Sequence, residues 1–244
     1  VMNNNRILEK IRKKEIANVV GIKSANLDVI EYASKLNYDA IHLDAEHGAF
    51  SVDSIESICQ LAISCGLTVT ARIHKISKQE INLFIDRGVQ GIMGPHVDTF
   101  EEAKLLADSC LFPPLGKRSW GGGRGTEFGE QSFMNEHDGV SDKLSYANWA
   151  NSNMELTIQI ESVKAVENLD SILKEKRINR IAFGPHDLAA DLGFPGEPNH
   201  PKVLETHSKI EKVARKAGKL VVGDYINSIR FEESAVEMLN KFKN

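Results

Sequence analysis

Apolar and polar positions along this chain fall into a repeating order. A short aliphatic run ends in a polar cluster, and a longer stretch with apolar residues at helical spacing follows. Seven runs stand out: Asn18–Ile22, Ala40–Asp44, Thr68–Ile73, Gly91–His96, Thr157–Glu161, Arg180–Pro185 and Lys219–Asp224. Short runs of this kind read as strands, and they are near-continuously apolar when both faces are buried. Between them Val52, Ile55, Ile58, Cys59 and Ala62 recur at helical spacing behind Ser51 as N-cap. Thr99 and Glu102 form a capping box ahead of Ala103, Leu105 and Leu106. Val163, Val166, Leu169, Ile172 and Leu173 share one face, and Pro201 opens a helix through Val203, Leu204, Ile210 and Val213. Strands alternating with helices predict a parallel sheet, and 244 residues fit one TIM-type (β/α) barrel domain over residues 1–244.

Two stretches break the alternation. Residues 111–153 form a long excursion with Pro113, Pro114 and glycines at 121, 122, 123 and 125, which reads as a lid from which Arg118 or Arg124 reaches an anionic substrate. Gly121-Gly122-Gly123 is not followed by Lys-Ser or Lys-Thr, so it is not a P-loop. After Asp224 only 20 residues remain. The eighth strand is therefore expected to be shortened or missing, or to be made from Ile226–Phe231.

Chemistry in such barrels gathers at the carboxyl ends of the strands. There the chain places Asp44, Glu46 and His47, then Arg72 and His74, then His96, Gln159 with Glu161, Asp187 and Asp224. That many polar groups on one rim reads as an enzyme. Glu161 and Asp187 end or follow successive strands, and two adjacent carboxylates repel unless a cation or proton lies between them. A hard divalent ion such as Mg²⁺ or Mn²⁺, with Co²⁺ as a further candidate, suits so few protein oxygens. Spacing alone leaves open a second reading, two independent rim carboxylates paired with lysines. His47, followed by Gly48, could move a proton near neutral pH if a carboxylate held its other ring nitrogen. Arg72 is either a partner for Asp44 or Glu46 or an anchor for a substrate oxygen gaining charge. His74 and His96 are further rim candidates, whereas Trp120 and Trp149 are expected to pack the long excursion.

Composition narrows the partners. A net charge of −4 gives no reason to expect nucleic acid or an anionic membrane, and the Arg12-Lys13-Lys14 run reads as a solvated helix face. No apolar stretch is long enough to span a bilayer, and no signal-peptide pattern is present. Cys59, Cys65 and Cys110 show no CxxC spacing, and a cytoplasmic protein with free thiols is expected.

The motifs together resemble a known family. Leu43-Asp44-Ala45-Glu46-His47-Gly48, Ala71-Arg72, Phe112-Pro113-Pro114-Leu115-Gly116-Lys117-Arg118, Gln159-Ile160-Glu161-Ser162 and Gly184-Pro185-His186-Asp187-Leu188 follow in the order found in metal-dependent class II pyruvate aldolases. These are the 4-hydroxy-2-oxoheptanedioate aldolase-like enzymes of the phosphoenolpyruvate/pyruvate-binding barrel superfamily. The resemblance implies that Glu161 and Asp187 hold the divalent metal. It implies that Arg72 binds the keto oxygen of pyruvate, that His47 and Asp86 form a proton-transfer dyad, and that Gln159 lies beside metal and pyruvate. The amides around His186 and Asp187 would hold the pyruvate carboxylate, with Asp44 as a support. The implied reaction is reversible cleavage of a 4-hydroxy-2-oxo acid to pyruvate and an aldehyde through an enolate, in a homo-oligomer such as the hexamer of relatives. His186 stands where small residues are more usual, and Ile22-Lys23-Ser24 lacks an aromatic residue that some members carry. Two other readings remain: an oxo-acid decarboxylase or other lyase using the same enolate, which would release no aldehyde, and a non-catalytic oxo-acid-binding barrel.

Overall fold

The computed structural model describes residues 2–137 and 139–243. Eight parallel strands are present: β1 (Ala17–Ile22), β2 (Ala40–Asp44), β3 (Thr68–Arg72), β4 (Gly91–Gly94), β5 (Glu155–Ile160), β6 (Arg180–Phe183), β7 (Leu220–Val221) and β8 (Ile226–Arg230). Helices α1 (Arg6–Arg12), α2 (Leu27–Lys35), α3 (Val52–Ser64), α4 (Lys78–Ile85) and α5 (Phe100–Cys110) occupy the first half. The excursion carries α6 (Gln131–Met134) and α7 (Lys143–Ser152), and α8 (Val163–Glu167), α9 (Leu169–Ile172), α10 (Pro185–Asp191), α11 (Pro201–Lys216) and α12 (Phe231–Lys241) follow. The sheet runs β7-β6-β5-β4-β3-β2-β1-β8, so it curls as a barrel wall in chain order except at β8.

The expected caps are formed. Ser51 accepts from the Ser54 amide and Thr99 from the Glu102 amide, each completing a capping box. Outward residues of the strands and inward faces of the helices make one core, to which α3 brings Ile55, Ile58, Cys59 and Ala62 and α4 brings Ile81, Phe84 and Ile85. Each fully buried isoleucine or phenylalanine among them contributes about 1.5–3 kcal/mol of hydrophobic stabilisation. The opposite strand faces point into the barrel. There Gly21, His42, Thr70, Gly91, Thr157 and Ser228 are too small or too polar to fill it, and they line a cavity of about 210 Å³ below the rim.

Of the expectations for the last strand, the one using Ile226–Phe231 is met, and β8 pairs with β1 from Ala17↔Ile226 to Gly21↔Arg230. No helix separates β7 from β8; the four residues 222–225 join them directly. β7 pairs with the foot of β6 and β8 with β1, so one interrupted strand spans the seam. Arg180 fastens it. Its buried guanidinium pairs with Glu155 at 3.0 Å and donates to the carbonyls of Val221 and Asp224, each at 2.9 Å. Asp224, expected on the catalytic rim, lies in this turn instead, where its carboxylate accepts from the Val221 amide and pairs with Arg215.

The excursion is packed, and this corrects its reading as a loose lid. Phe112, Met134, Val140, Tyr146, Ala147 and Ala150 form a small second core, with Trp149 against it and Trp120 against Phe112. Inside it His137 pairs with buried Glu127 at 2.7 Å. Arg118 is buried and donates to the Gly125 carbonyl, and Arg124 is paired with Glu56 on α3, so neither arginine is presented to a substrate. The three cysteines are free thiols.

Candidate active site

At the rim, Asp44 and Arg72 stand level on β2 and β3. Arg72 donates from Nε and Nη2 to Asp44 Oδ1 at 3.0 and 2.8 Å, and its Nη1 lies 3.1 Å from Glu46 Oε2 and 3.3 Å from Gln159 Oε1. A guanidinium has five N–H groups in a rigid fork. Hydrogen bonds to Asp44 and Gln159 engage three of them and leave one on each terminal nitrogen, with Nη1 also at ion-pair distance from Glu46. Burial pushes the Asp44 carboxyl up, but the Arg72 hydrogen bonds and charge outweigh it and hold Asp44 below the usual carboxylate range.

Gln159 and Glu161 share a side of β5 at alternate positions, and Gln159 Nε2 donates to Glu161 Oε2 at 2.7 Å. The other oxygen of Glu161 accepts from the backbone N–H of His96 at 2.7 Å and lies 3.0 Å from His96 Nδ1. Across the same ring, His96 Nε2 is 3.0 Å from Glu46 Oε1. Burial raises the pKa of Glu161, and the negative charges of Glu46 and Asp187 raise it further against the opposing pull of His96. Gly184, after β6, makes this approach possible, because a Cβ there would sit 2.3 Å from Glu161 Oε2 and 2.7 Å from Gln159 Nε2.

Asp187 lies in the first turn of α10, exposed and with no side-chain hydrogen bond or ion pair among the described residues. His186 beside it is also exposed, so its imidazole does not block the rim. Pro185 at the helix start leaves the next amides as unsatisfied donors facing outward along the axis.

His47 is more than half exposed. Its amide donates to Asp44 Oδ1 at 3.4 Å, and its ring comes no closer to a carboxylate than 3.8 Å, at Glu46 Oε2. Gly48 follows because a Cβ there would meet the carbonyls of Asp44 and Lys23 at 2.3 and 2.6 Å. Asp86 is not brought to His47 within this chain. It caps the C-terminus of α4, with its carboxylate against Gly121 and its backbone carbonyl against Gly123, and burial raises its pKa despite Arg118 and Arg87. Besides His96, a further histidine–carboxylate pair on the rim is His74 with Glu80, at 2.6 Å.

The donor set fits a hard or borderline divalent cation. Glu161 is a buried carboxylate disfavoured as an anion by its acidic neighbours, and Asp187 is an unengaged carboxylate close enough to add to that repulsion. No three His, Cys, Asp or Glu side chains converge on a common point among the described residues, so the protein supplies few donors and leaves room for a chelating substrate. Sequence reasoning did not single out the central place of Glu46, which meets Arg72, His47 and His96 at once, nor that of Gly184. The signal for Glu46 was its place among three rim residues within four positions, Asp44, Glu46 and His47; for Gly184, no sequence signal existed beyond the glycine itself.

Comparison with known proteins bears on this site. Residues 19–242 match the family described as HpcH/HpaI aldolase/citrate lyase. A 2-keto-3-deoxy-L-rhamnonate aldolase of Salmonella typhi is 30% identical over 215 residues, covering 88% of this chain and 77% of that protein. The enzyme of the same description from Escherichia coli K12 is 29% identical over 218 residues. An HpcH/HpaI aldolase structure from Desulfitobacterium hafniense DCB-2 superposes with a TM-score of 0.81 at 24% identity, over 97% of this chain and 96% of that one. Macrophomate synthase superposes with a TM-score of 0.76 at 21% identity, over 99% and 92%. Similarity at that level establishes the barrel fold, eighth-strand placement aside.

Proposed function

This chain belongs to the HpcH/HpaI aldolase/citrate lyase family, and from that premise we propose that the rim around Arg72, Glu161 and Asp187 cleaves a 4-hydroxy-2-oxo acid to pyruvate and an aldehyde. The chain is a carbon–carbon lyase of the metal-dependent aldolase class. Its substrate is proposed to be a 2-keto-3-deoxy acid of the kind its relatives are named for. The observation that carries the reading is the convergence of one arginine at the end of β3 and a carboxylate–glutamine pair at the end of β5 on one rim.

Glu161 and Asp187 would hold the cation, and a divalent ion there supplies Lewis-acid polarisation of the keto group. Arg72, fixed by Asp44 and Glu46, would offer its free Nη2 N–H to the oxygen that becomes negative when the enolate forms. A fixed donor of this kind is worth roughly 10²–10³ in rate. Gln159 positions both partners, since its oxygen faces Arg72 and its nitrogen faces Glu161. The exposed amides at the start of α10 are placed to receive the substrate carboxylate. His47 is the proposed proton carrier between the methyl carbon and solvent, and its partner carboxylate is Glu46 in this chain. Asp86, which this chain does not bring to His47, keeps a proposed part in that relay.

Mg²⁺ and Mn²⁺ are the proposed metals, with Co²⁺ as a further candidate. Homo-oligomeric assembly and a cytoplasmic location are proposals as well; no helix is long and apolar enough to cross a membrane. Pyruvate release from 2-keto-3-deoxy acids, followed with a coupled reductase and an aldehyde trap, tests the reaction. Equal amounts of pyruvate and aldehyde, abolished by a chelator, are expected. Carbon dioxide in place of aldehyde would establish the decarboxylase reading.

A further inference from the structure

The interior of a barrel of this kind is normally filled by layers of bulky side chains from its strands. Here both the filling and one stretch of wall are incomplete. β7 is two residues long and pairs only with Arg180 and Ile181, at the foot of β6. Above that level no strand lies between Ala182–Phe183 on β6 and the outer edge of β8 among the described residues. Val222 and Ile229 flank this slot and are 46% and 39% exposed, where a closed wall would bury them. Phe183, Val222 and Ile229 line the cavity below the rim together with Arg72 and Gln159, so one space runs from the candidate reacting centre to the gap in the wall.

We propose that the slot between β6 and β8 is the acceptor subsite of the lyase reaction, and that it selects a neutral aldehyde with an apolar chain, up to about eight non-hydrogen atoms in all. The inference rests on the reading of the rim as the enolate-forming site. In the synthetic direction the enolate carbon bonds to the aldehyde carbon, and the aldehyde oxygen takes up a proton to become the 4-hydroxyl. The rest of the aldehyde needs room beside Arg72 and Gln159, and the cavity supplies it. A cavity of about 150 Å³ takes benzene, and this one holds about 210 Å³. Its seam side is apolar, with Ala182, Phe183, Val222, Ile226 and Ile229, while His42 and Thr70 on the far side meet each other at 2.9 Å. The cationic side chains that line it have carboxylate partners already: Arg180 has Glu155, Arg72 has Asp44, and Lys23 and Arg230 share Glu233 at 3.4 and 3.1 Å. His42 is uncharged at neutral pH, since burial pushes its pKa down to about 4. An anionic chain would therefore lose its hydration without gaining a free counter-charge, whereas each methylene that leaves water adds about fourfold in affinity.

The test compares kcat/KM for the addition of pyruvate to hexanal, to ethanal and to 4-oxobutanoate, an anionic aldehyde of hexanal's size, with the full chain and Mg²⁺. Hexanal is expected to exceed ethanal by about tenfold or more, and to exceed 4-oxobutanoate. Ser228 lines the slot from the exposed strand β8, so Ser228→Leu should fill it with little effect on folding and bring the hexanal-to-ethanal ratio down to near unity. Gly21→Ala is the second variant, because its Cβ meets nothing closer than 3.4 Å; one added methyl group in the cavity should lower the same ratio about fourfold. Circular dichroism checks that both variants fold. If 4-oxobutanoate is the better acceptor, or if both variants keep the wild-type ratio, the inference is overturned. Deuterium exchange at the pyruvate methyl group separates the two levels. No exchange in the wild type removes the enolate reading and the subsite with it, whereas exchange with equal use of hexanal and ethanal removes the subsite alone.

Discussion

Replacing Gly184 with alanine probes the site with a single methyl group. Its φ of −102° and ψ of 95° suit alanine, so the substitution brings no backbone strain. The new Cβ would stand 2.3 Å from Glu161 Oε2, 2.7 Å from Gln159 Nε2 and 3.0 Å from Glu161 Cβ. Ordinary contact begins near 3.4 Å, so the Glu161 carboxylate must retreat by about 1 Å. It cannot do so freely, because its other oxygen is held by the His96 amide. A displacement of about 1 Å at a reacting centre costs on the order of 100-fold, and overpacking of this kind costs about 1–3 kcal/mol in stability. Gly184→Ala is therefore expected to lower deuterium exchange at the pyruvate methyl group about 100-fold and to weaken Mg²⁺ binding, while remaining folded by circular dichroism. Gly122→Ala, where a Cβ meets nothing within 4 Å, is the matched control and should leave both unchanged. A Gly184→Ala protein with wild-type exchange and metal affinity would refute the placement of Glu161 and Gln159 beside the reacting atoms.

Arg72→Lys, which loses the planar fork, should reduce the exchange rate by roughly 10²–10³ at saturating pyruvate, and a variant within threefold of wild type would exclude Arg72 as the donor to the enolate oxygen. Glu161→Ala and Asp187→Ala should each abolish metal-dependent turnover with an intact far-ultraviolet spectrum; full activity of either under added Mg²⁺ would contradict the site. His42, inside the barrel, has its pKa pushed down to about 4, chiefly by burial and against the charge of Asp44. An imidazole that resists protonation when folded leaves the unfolded chain binding more protons between pH 6.5 and 4, so stability should fall as the pH drops through that window; His42→Gln should flatten this part of the melting-temperature profile. Arg180→Ala leaves Glu155 as an uncompensated buried charge and frees two carbonyls at the seam, and a loss of about 3–5 kcal/mol is expected in urea denaturation.

The barrel was legible because its strands are short, largely apolar runs alternating with stretches of helical spacing. Ala40–Asp44 is recovered as read, and Thr68–Ile73 and Arg180–Pro185 are trimmed only at their exits. Those exits are polar because the backbone there stops pairing and turns into the rim loops, which is why candidate chemistry could be collected from strand ends. Arg72 illustrates the gain: the partner reading open for it is met by Asp44 and Glu46, and the anchor reading is the one proposed above. What could not be read depends on distances between segments far apart in the chain. The pairing of His96 with Glu46 and Glu161 spans 50 and 65 positions and has no local pattern. The His47–Asp86 pair, which this chain does not bring together, was unreadable for the complementary reason. Matching positions to a family pattern says nothing about where a helix C-terminus turns, and in this chain Asp86 is turned under Gly121–Gly123. The seam between β7 and β8 was only half readable: the strand was visible in Ile226–Phe231, whereas the buried Arg180 that fastens it looked like an ordinary strand residue.

The central claim is that this rim makes the enolate of pyruvate, and hydrogen–deuterium exchange into the pyruvate methyl group tests it without knowledge of the aldehyde. The protein is incubated with pyruvate in D₂O, with Mg²⁺ or Mn²⁺ and again with a chelator, and the pyruvate is analysed by mass spectrometry. Deuterium incorporation that requires the metal, and that is lost in Glu161→Ala and Arg72→Ala, is the predicted result. Absence of incorporation under every metal condition, with the protein folded and binding metal, would contradict the account.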